Sequence, residues 1–310
     1  MAAPPATVSV TAPVGQAIDR IKRLLFRPFD LGRWFTIGFG AWLAHLGQAG
    51  FRFNYNIGSR RGRGGNFREA LEHAREYVMA NLYWVLPLAV ALVFIGLVCW
   101  VVFMWLSSRG KFMFLHCVAL EKAEVGVPWH KFVREGNSLF VFRLVLGFIG
   151  MVPTLPLVAL ATVIVLKMLN GGGPDIRGVL GLVGIVLMLV TVGMVFVVIA
   201  KLTTDFVVPI MFLRRGTCLA AWQELLGLIS VNVANFVVYL LFQVVLAMAI
   251  GALVLLAIVV TCCLACCVIM IPYLGTVLLL PVLVFRRSYS LHYLAQYGRE
   301  YDVFPPAGPA

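Results

Sequence analysis

Charge is scarce in this chain. Charged residues make up 12% of its 310 positions, about half the roughly 25% of a soluble domain. Hydrophobic residues make up 62%, and mean hydropathy is +0.97. This balance excludes an ordinary soluble globule, a disordered chain and a coiled coil, each of which needs far more solvated side chains. An integral membrane protein remains. Acidic groups are the scarcest, 13 against 25 Lys and Arg, so the formal net charge is +12. There is no HExxH, no GxSxG and no Walker loop, and the five His are scattered. No pair of carboxylates falls at membrane depth. These absences argue against an enzyme. Residues 1–14 lack the basic start and apolar core of a secretory signal peptide, so insertion is expected to be directed by internal segments. Cys262, Cys263, Cys266 and Cys267 form a doubled CxxC, but the flanks are apolar and no His lies nearby. They read as small hydrophobes in lipid, with no metal site and no cofactor expected.

What the chain has in abundance is long apolar runs. A spanning helix needs about 20 such residues. The runs at 84–106, 138–169, 178–200, 232–260 and 267–285 qualify, and 31–51 joins them if both flanks of a shorter apolar stretch contribute. The expected fold is therefore an all-α, polytopic transmembrane helical bundle of about six spans. One integral-membrane domain is expected over 14–304, between a flexible arm at 1–13 and a tail at 305–310. With six spans, sixteen basic residues fall on one side, in the arm, the 108–137 and 201–230 loops and the tail. The other side receives six, all between Arg52 and Arg75. The positive-inside rule then makes both termini cytoplasmic. The Gly- and Arg-rich loop at 58–65 would lie outside, so nucleic acid is not an expected partner. Residues 66–81 pattern as an interfacial amphipathic helix.

A spacing recurs. Trp34 follows Leu25 by nine residues, Trp129 follows Leu120 by nine, and Trp222 follows Leu213 by nine. Each window carries a basic turn and leads into a long apolar run. This reads as an internal repeat with an interfacial Trp.

Polar residues inside apolar runs are the candidate sites. Asn232, Asn235, Tyr239 and Gln243 make one helical stripe, either lining a solute path or hydrogen-bonding helices together. Lys201 and Asp205, four apart, form an interfacial ion pair or a proton or cation site. Arg143, Arg214, Arg215, Arg286 and Arg287 sit at span ends, where lipid headgroups are their expected partners. The small residues Gly32, Thr36, Gly40 and Ala44 repeat every four positions, which permits close packing within the monomer or between copies.

The repeated basic-turn–Trp pattern and the ending at 285–304 (FRRSYSLHYLAQYGREYDVF) resemble a family of uncharacterised bacterial polytopic membrane proteins. These are similar in layout to the membrane-anchor domains of some glycerophosphodiester phosphodiesterases. The resemblance implies a multi-pass protein of the bacterial inner membrane and no catalytic residues. The expected role is non-enzymatic: assembly, interaction or accessory work with lipids, other membrane proteins or itself. The alternative is a transporter or lipid-handling protein built around the polar stripe.

Overall fold

The computed structural model describes residues 8–27, 29–46, 76–77, 79–170, 175–261 and 271–304. The described residues form helices and no strands. In chain order these are α1 (Ala12–Ile21), α2 (Leu31–His45), α3 (Leu82–Leu120), α4 (Gly126–Lys131), α5 (Val133–Asn170), α6 (Ile176–Leu202), α7 (Val208–Arg214), α8 (Cys218–Val231), α9 (Val233–Val260), α10 (Pro272–Leu278) and α11 (Leu280–Ala295). A π-helical turn follows α1 at Lys22–Phe26, and another joins α6 to α7 at Thr203–Val207. Four helical segments among the described residues are long and apolar enough to cross a membrane: Leu82–Leu120, Val133–Met168, Ile176–Arg214 and Val233–Val260. The interfacial helix expected at 66–81, the 58–65 loop and the four clustered cysteines lie wholly or largely outside the described residues.

These helices outrun the bilayer. At 1.5 Å per residue the 39-residue α3 is about 58 Å long, against about 30 Å of hydrocarbon. Burial divides it into two halves. From Leu82 to Val102 its large apolar side chains are mostly exposed, as lipid-facing residues are, whereas Ser107, Ser108 and Gly110–Ala119 are buried. The other long helices divide the same way, so the molecule has a packed plate at one end and apolar shafts leaving it. The expected 108–137 loop is therefore largely helix. Nothing between Ser107 and Leu120 breaks α3, and Glu121 ends it with a left-handed cap at φ 56°.

The plate holds the hydrophobic core, with Phe112, Phe206, Tyr239, Tyr289 and Tyr293 at its centre. Arg20 fastens α1 beneath it. Its guanidinium donates to the Val118 and Ala119 carbonyls at the end of α3, pairs with Glu121 at 3.1 Å and lies 4.3 Å over the Phe304 ring. Four terminal carbonyls of a helix lack intrahelical donors, and Arg20 satisfies two of them. Residue Ser9 and Gln296 exchange two hydrogen bonds, which ties the first described residues to the end of α11.

α2 runs antiparallel to the plate half of α3. Gly110 is the contact that allows it: a Cβ there would lie 2.5 Å from the Ala44 nitrogen. Gly40 packs against Phe114, so half of the small-residue stripe is used inside the monomer. α2 ends level with Ser107, whose hydroxyl donates to the Ala44 carbonyl at 2.8 Å. Its 15 residues reach about 22 Å, less than a bilayer core.

The three Trp windows share a layout in which a helix breaks and a Trp-bearing helix follows, but the rings do not share an environment. The Trp34 indole N–H donates to the Leu25 carbonyl at 2.9 Å, which gives that nine-residue spacing a physical cause. Trp129 instead meets Trp105 edge-on at 6.1 Å, and the Trp222 N–H is buried without a partner.

Candidate functional site: a basic pocket where the plate meets the apolar shafts

Four elements bring basic side chains to one level, just where burial changes character. α3 supplies Lys111, α5 supplies Arg143, the end of α6 supplies Lys201, and α11 supplies Arg286 and Arg287. The π-helical turn sits between them. Its extra residue per turn re-aims Thr203–Val207, a device common at functional positions. Thr204 thereby receives two cations: Lys111 Nζ donates to its hydroxyl at 2.8 Å, and Arg287 Nη1 donates to its carbonyl.

One carboxylate serves this group. Asp205 holds Lys201 at 2.7 Å and accepts the Tyr239 hydroxyl at 2.9 Å, and Gln243 Nε2 donates to that same hydroxyl at 3.0 Å. Among the described residues no carboxylate lies within ion-pair distance of Lys111, Arg143 or Arg287. Arg143 is held by neutral groups, donating to Ser108 at 3.0 Å and Ser107 at 3.3 Å. Arg287 is 6% exposed, and its Nε and Nη2 are buried with no partner. A buried, unpaired cation is costly, because water has been removed and nothing replaces it.

Two cavities meet at this cluster. The first, of about 340 Å³, is lined by His45, Lys111, Lys201, Thr204, Asp205, Arg286 and Arg287. The second, of about 900 Å³, is a largely apolar groove between α3, α5 and α6. Trp100, Phe103, Phe142, Leu146 and Phe196 form its walls, Gly96, Gly147, Gly150 and Gly193 leave it wide, and Lys111 and Arg143 stand at its basic end. Lys111 lines both.

The polar stripe on α9 lies outside both cavities. Tyr239 and Gln243 turn inward onto Asp205 and are buried. The Asn232 side chain donates to its own helix at Leu228, and Asn235 offers its backbone carbonyl to the Tyr293 hydroxyl. The expected headgroup arginines separate into two sets. Arg143, Arg286 and Arg287 line the cavities. Arg214 is taken by Glu224 at 3.0 Å and Glu300 at 2.9 Å, and Arg215 by Glu135 at 3.3 Å while stacking on Phe132. Lys111 is the site residue that sequence patterning does not single out: the apolar run stops at 106, which predicts a loop there. Its signal is its company, since Ser107, Ser108 and Lys111 share a helical face at i, i+1 and i+4.

Residues 8–283 match a family of unknown function, DUF7544. The chain belongs to this family. The match spans most of the chain and includes every helix described above except α11, of which only the first turn lies within it. No curated protein and no solved structure matches it. Nothing in these comparisons links it to the glycerophosphodiester phosphodiesterases.

Proposed function

We propose that this DUF7544 protein is a non-enzymatic, lipid-handling protein that draws an anionic amphiphile from the bilayer into the Lys111 site. The observation that carries this reading is the position of Lys111, shared by a basic pocket and an apolar groove. Sites for amphiphiles need both chemistries side by side. The groove has a fitting length. From Lys111 to Gly96 along α3 is about 22 Å, longer than the roughly 15 Å of one hydrocarbon leaflet. The shafts that line it are exposed and apolar, so a chain could enter sideways from lipid.

The same reading places the protein in the inner membrane with both termini cytoplasmic and six crossings. Its support is the position of the chain ends. α1 and α2 lie at the Leu120 end of α3, and Leu82 lies at the other. Likewise α9 leaves the plate and α10 packs back on α2, where Tyr273 donates to the Phe35 carbonyl. Six crossings restore the basic bias of the cytoplasmic side. Reporter fusions at Ser59 and Gly308 are expected on opposite sides; both on one side would refute it.

Lipid handling is tested by blocking the groove. A Cβ added at Gly193 meets nothing within 4 Å, so Gly193→Leu enters the groove without disturbing the helix. Native mass spectrometry of the purified protein is expected to show loss of bound anionic lipid in this variant. Unchanged lipid retention would remove the reading.

A further inference from the structure

Resting on that reading, we infer that the ligand's headgroup is a phosphate monoester, bound as a dianion between Lys111 and Arg287. The argument is a match of charge and donors. Among the described residues, four cations line the two cavities without a carboxylate within ion-pair distance: Lys111, Arg143, Arg286 and Arg287. Lys201 is already neutralised by Asp205 at 2.7 Å. A singly charged phosphodiester headgroup would leave most of this excess uncompensated. A phosphate monoester carries roughly −1.5 to −2 charges at neutral pH and offers three strong acceptor oxygens.

The donors are arranged for such a group. Arg287 spends Nη1 on the Thr204 carbonyl, which fixes the plane of the guanidinium, and leaves Nε and Nη2 free on one edge. That edge is a two-pronged fork, the geometry that takes two oxygens of one phosphate. Lys111 spends one of its three protons on Thr204 and keeps two. Arg286 stands at the exposed rim of the same pocket. Thr204 thus holds both cations in place before any ligand arrives. The organic side of the ester then lies toward the apolar groove that Lys111 also lines. The chemistry fits a lipid phosphate and, at the pocket alone, a free phosphate, and the test separates them.

The full-length protein in mild detergent is titrated with phosphatidic acid, phosphatidylglycerol and phosphatidylcholine carrying identical chains, and separately with inorganic phosphate, using native mass spectrometry. Phosphatidic acid is expected to bind at least about tenfold tighter than phosphatidylglycerol, the worth of one extra charge-assisted hydrogen bond. Inorganic phosphate is expected to compete weakly, because it makes no use of the groove. Arg287→Lys keeps the charge and loses the fork; it is expected to keep binding both acidic lipids and to lose most of the preference between them. Equal wild-type affinity for phosphatidic acid and phosphatidylglycerol, with both weakened by Gly193→Leu, would overturn the monoester assignment and leave lipid handling standing. Displacement of phosphatidic acid by inorganic phosphate at similar concentration would overturn a lipid as its source. Absence of binding by every lipid would overturn both readings.

Discussion

Lys111 and Arg287 converge on a single residue from two helices, Lys111 on the Thr204 hydroxyl at 2.8 Å and Arg287 on the Thr204 carbonyl. Two buried cations are therefore held near one another by a neutral residue. Such an arrangement opposes folding, since like charges repel and neither recovers its lost hydration. The protein tolerates it where a basic pocket opens onto an apolar groove.

The first prediction concerns that neutral residue. Thr204→Val keeps the shape and removes the hydroxyl that accepts from Lys111. The loss is expected to cost about 1–3 kcal/mol, the penalty of a buried donor left unsatisfied. Thermal melting in detergent should show a lower Tm. An anionic lipid supplies a new acceptor, so it should raise the Tm of the variant by more than it raises that of the wild type. Equal shifts would argue against a ligand at Lys111.

Asp205 gives the second prediction, with two effects of opposite sign. Asp205→Asn breaks the pair with Lys201 and removes the only carboxylate among the described residues that line the pocket. Stability is expected to fall by about 3–5 kcal/mol, as for a buried pair that loses one partner. Affinity for acidic lipid is expected to rise, because Lys201 is freed and the pocket grows more positive. A variant that loses both stability and affinity would mean that Asp205 positions the site rather than competing with its ligand.

How much of this was legible in the sequence follows from what periodicity can and cannot report. Long apolar runs gave the all-helical, membrane-embedded class, because lipid demands that every backbone group be paired within the segment. They failed at Ser107–Leu120. There the helix passes from its exposed apolar half into the packed plate, so polar residues such as Lys111 sit on a helix whose apolar run has already stopped. The Lys201–Asp205 pair was legible because four residues make one helical turn. Its partner Tyr239 was also singled out, but as part of a stripe. Which face of α9 meets α6 depends on long-range packing that no local pattern encodes. The pocket itself joins α2, α3, α6 and α11, with His45 and Arg287 242 positions apart, and only their assembly reveals it.

Two glycines should respond oppositely to the same change. At Gly110 an added Cβ would lie 2.5 Å from the Ala44 nitrogen and 2.6 Å from the Leu43 carbonyl carbon, both backbone atoms that cannot rotate away. Gly110→Ala is expected to destabilise by about 1–3 kcal/mol through overpacking, despite the better helix propensity of Ala. At Gly193 nothing lies within 4 Å, so Gly193→Ala should be neutral or stabilise by up to about 1 kcal/mol. Comparison of the two melting temperatures tests whether α2 packs on the plate half of α3. Similar values for both would place α2 elsewhere.

The last prediction concerns pH and the far side of the plate. His292 on α11 stacks on Phe304 with ring centroids 4.2 Å apart, and its Nε2 is buried without a partner. Burial first, and then repulsion from Arg20, pushes its pKa down to about 4 from the usual 6.5, with Asp302 opposing and Arg23 adding to the repulsion. The folded chain thus keeps this ring neutral where an unfolded chain would protonate it. Below about 6.5 the unfolded state binds the extra proton, so stability must fall as pH drops from 6.5 toward 4, and no such loss arises above 6.5. His292→Phe preserves the stacking and removes the titration. Melting curves across pH 4–8 should show the wild type losing Tm faster than the variant below 6.5 and running parallel to it above. Parallel curves throughout would show that the ring is solvated, and that the Arg20–Phe304 contact does not close over it.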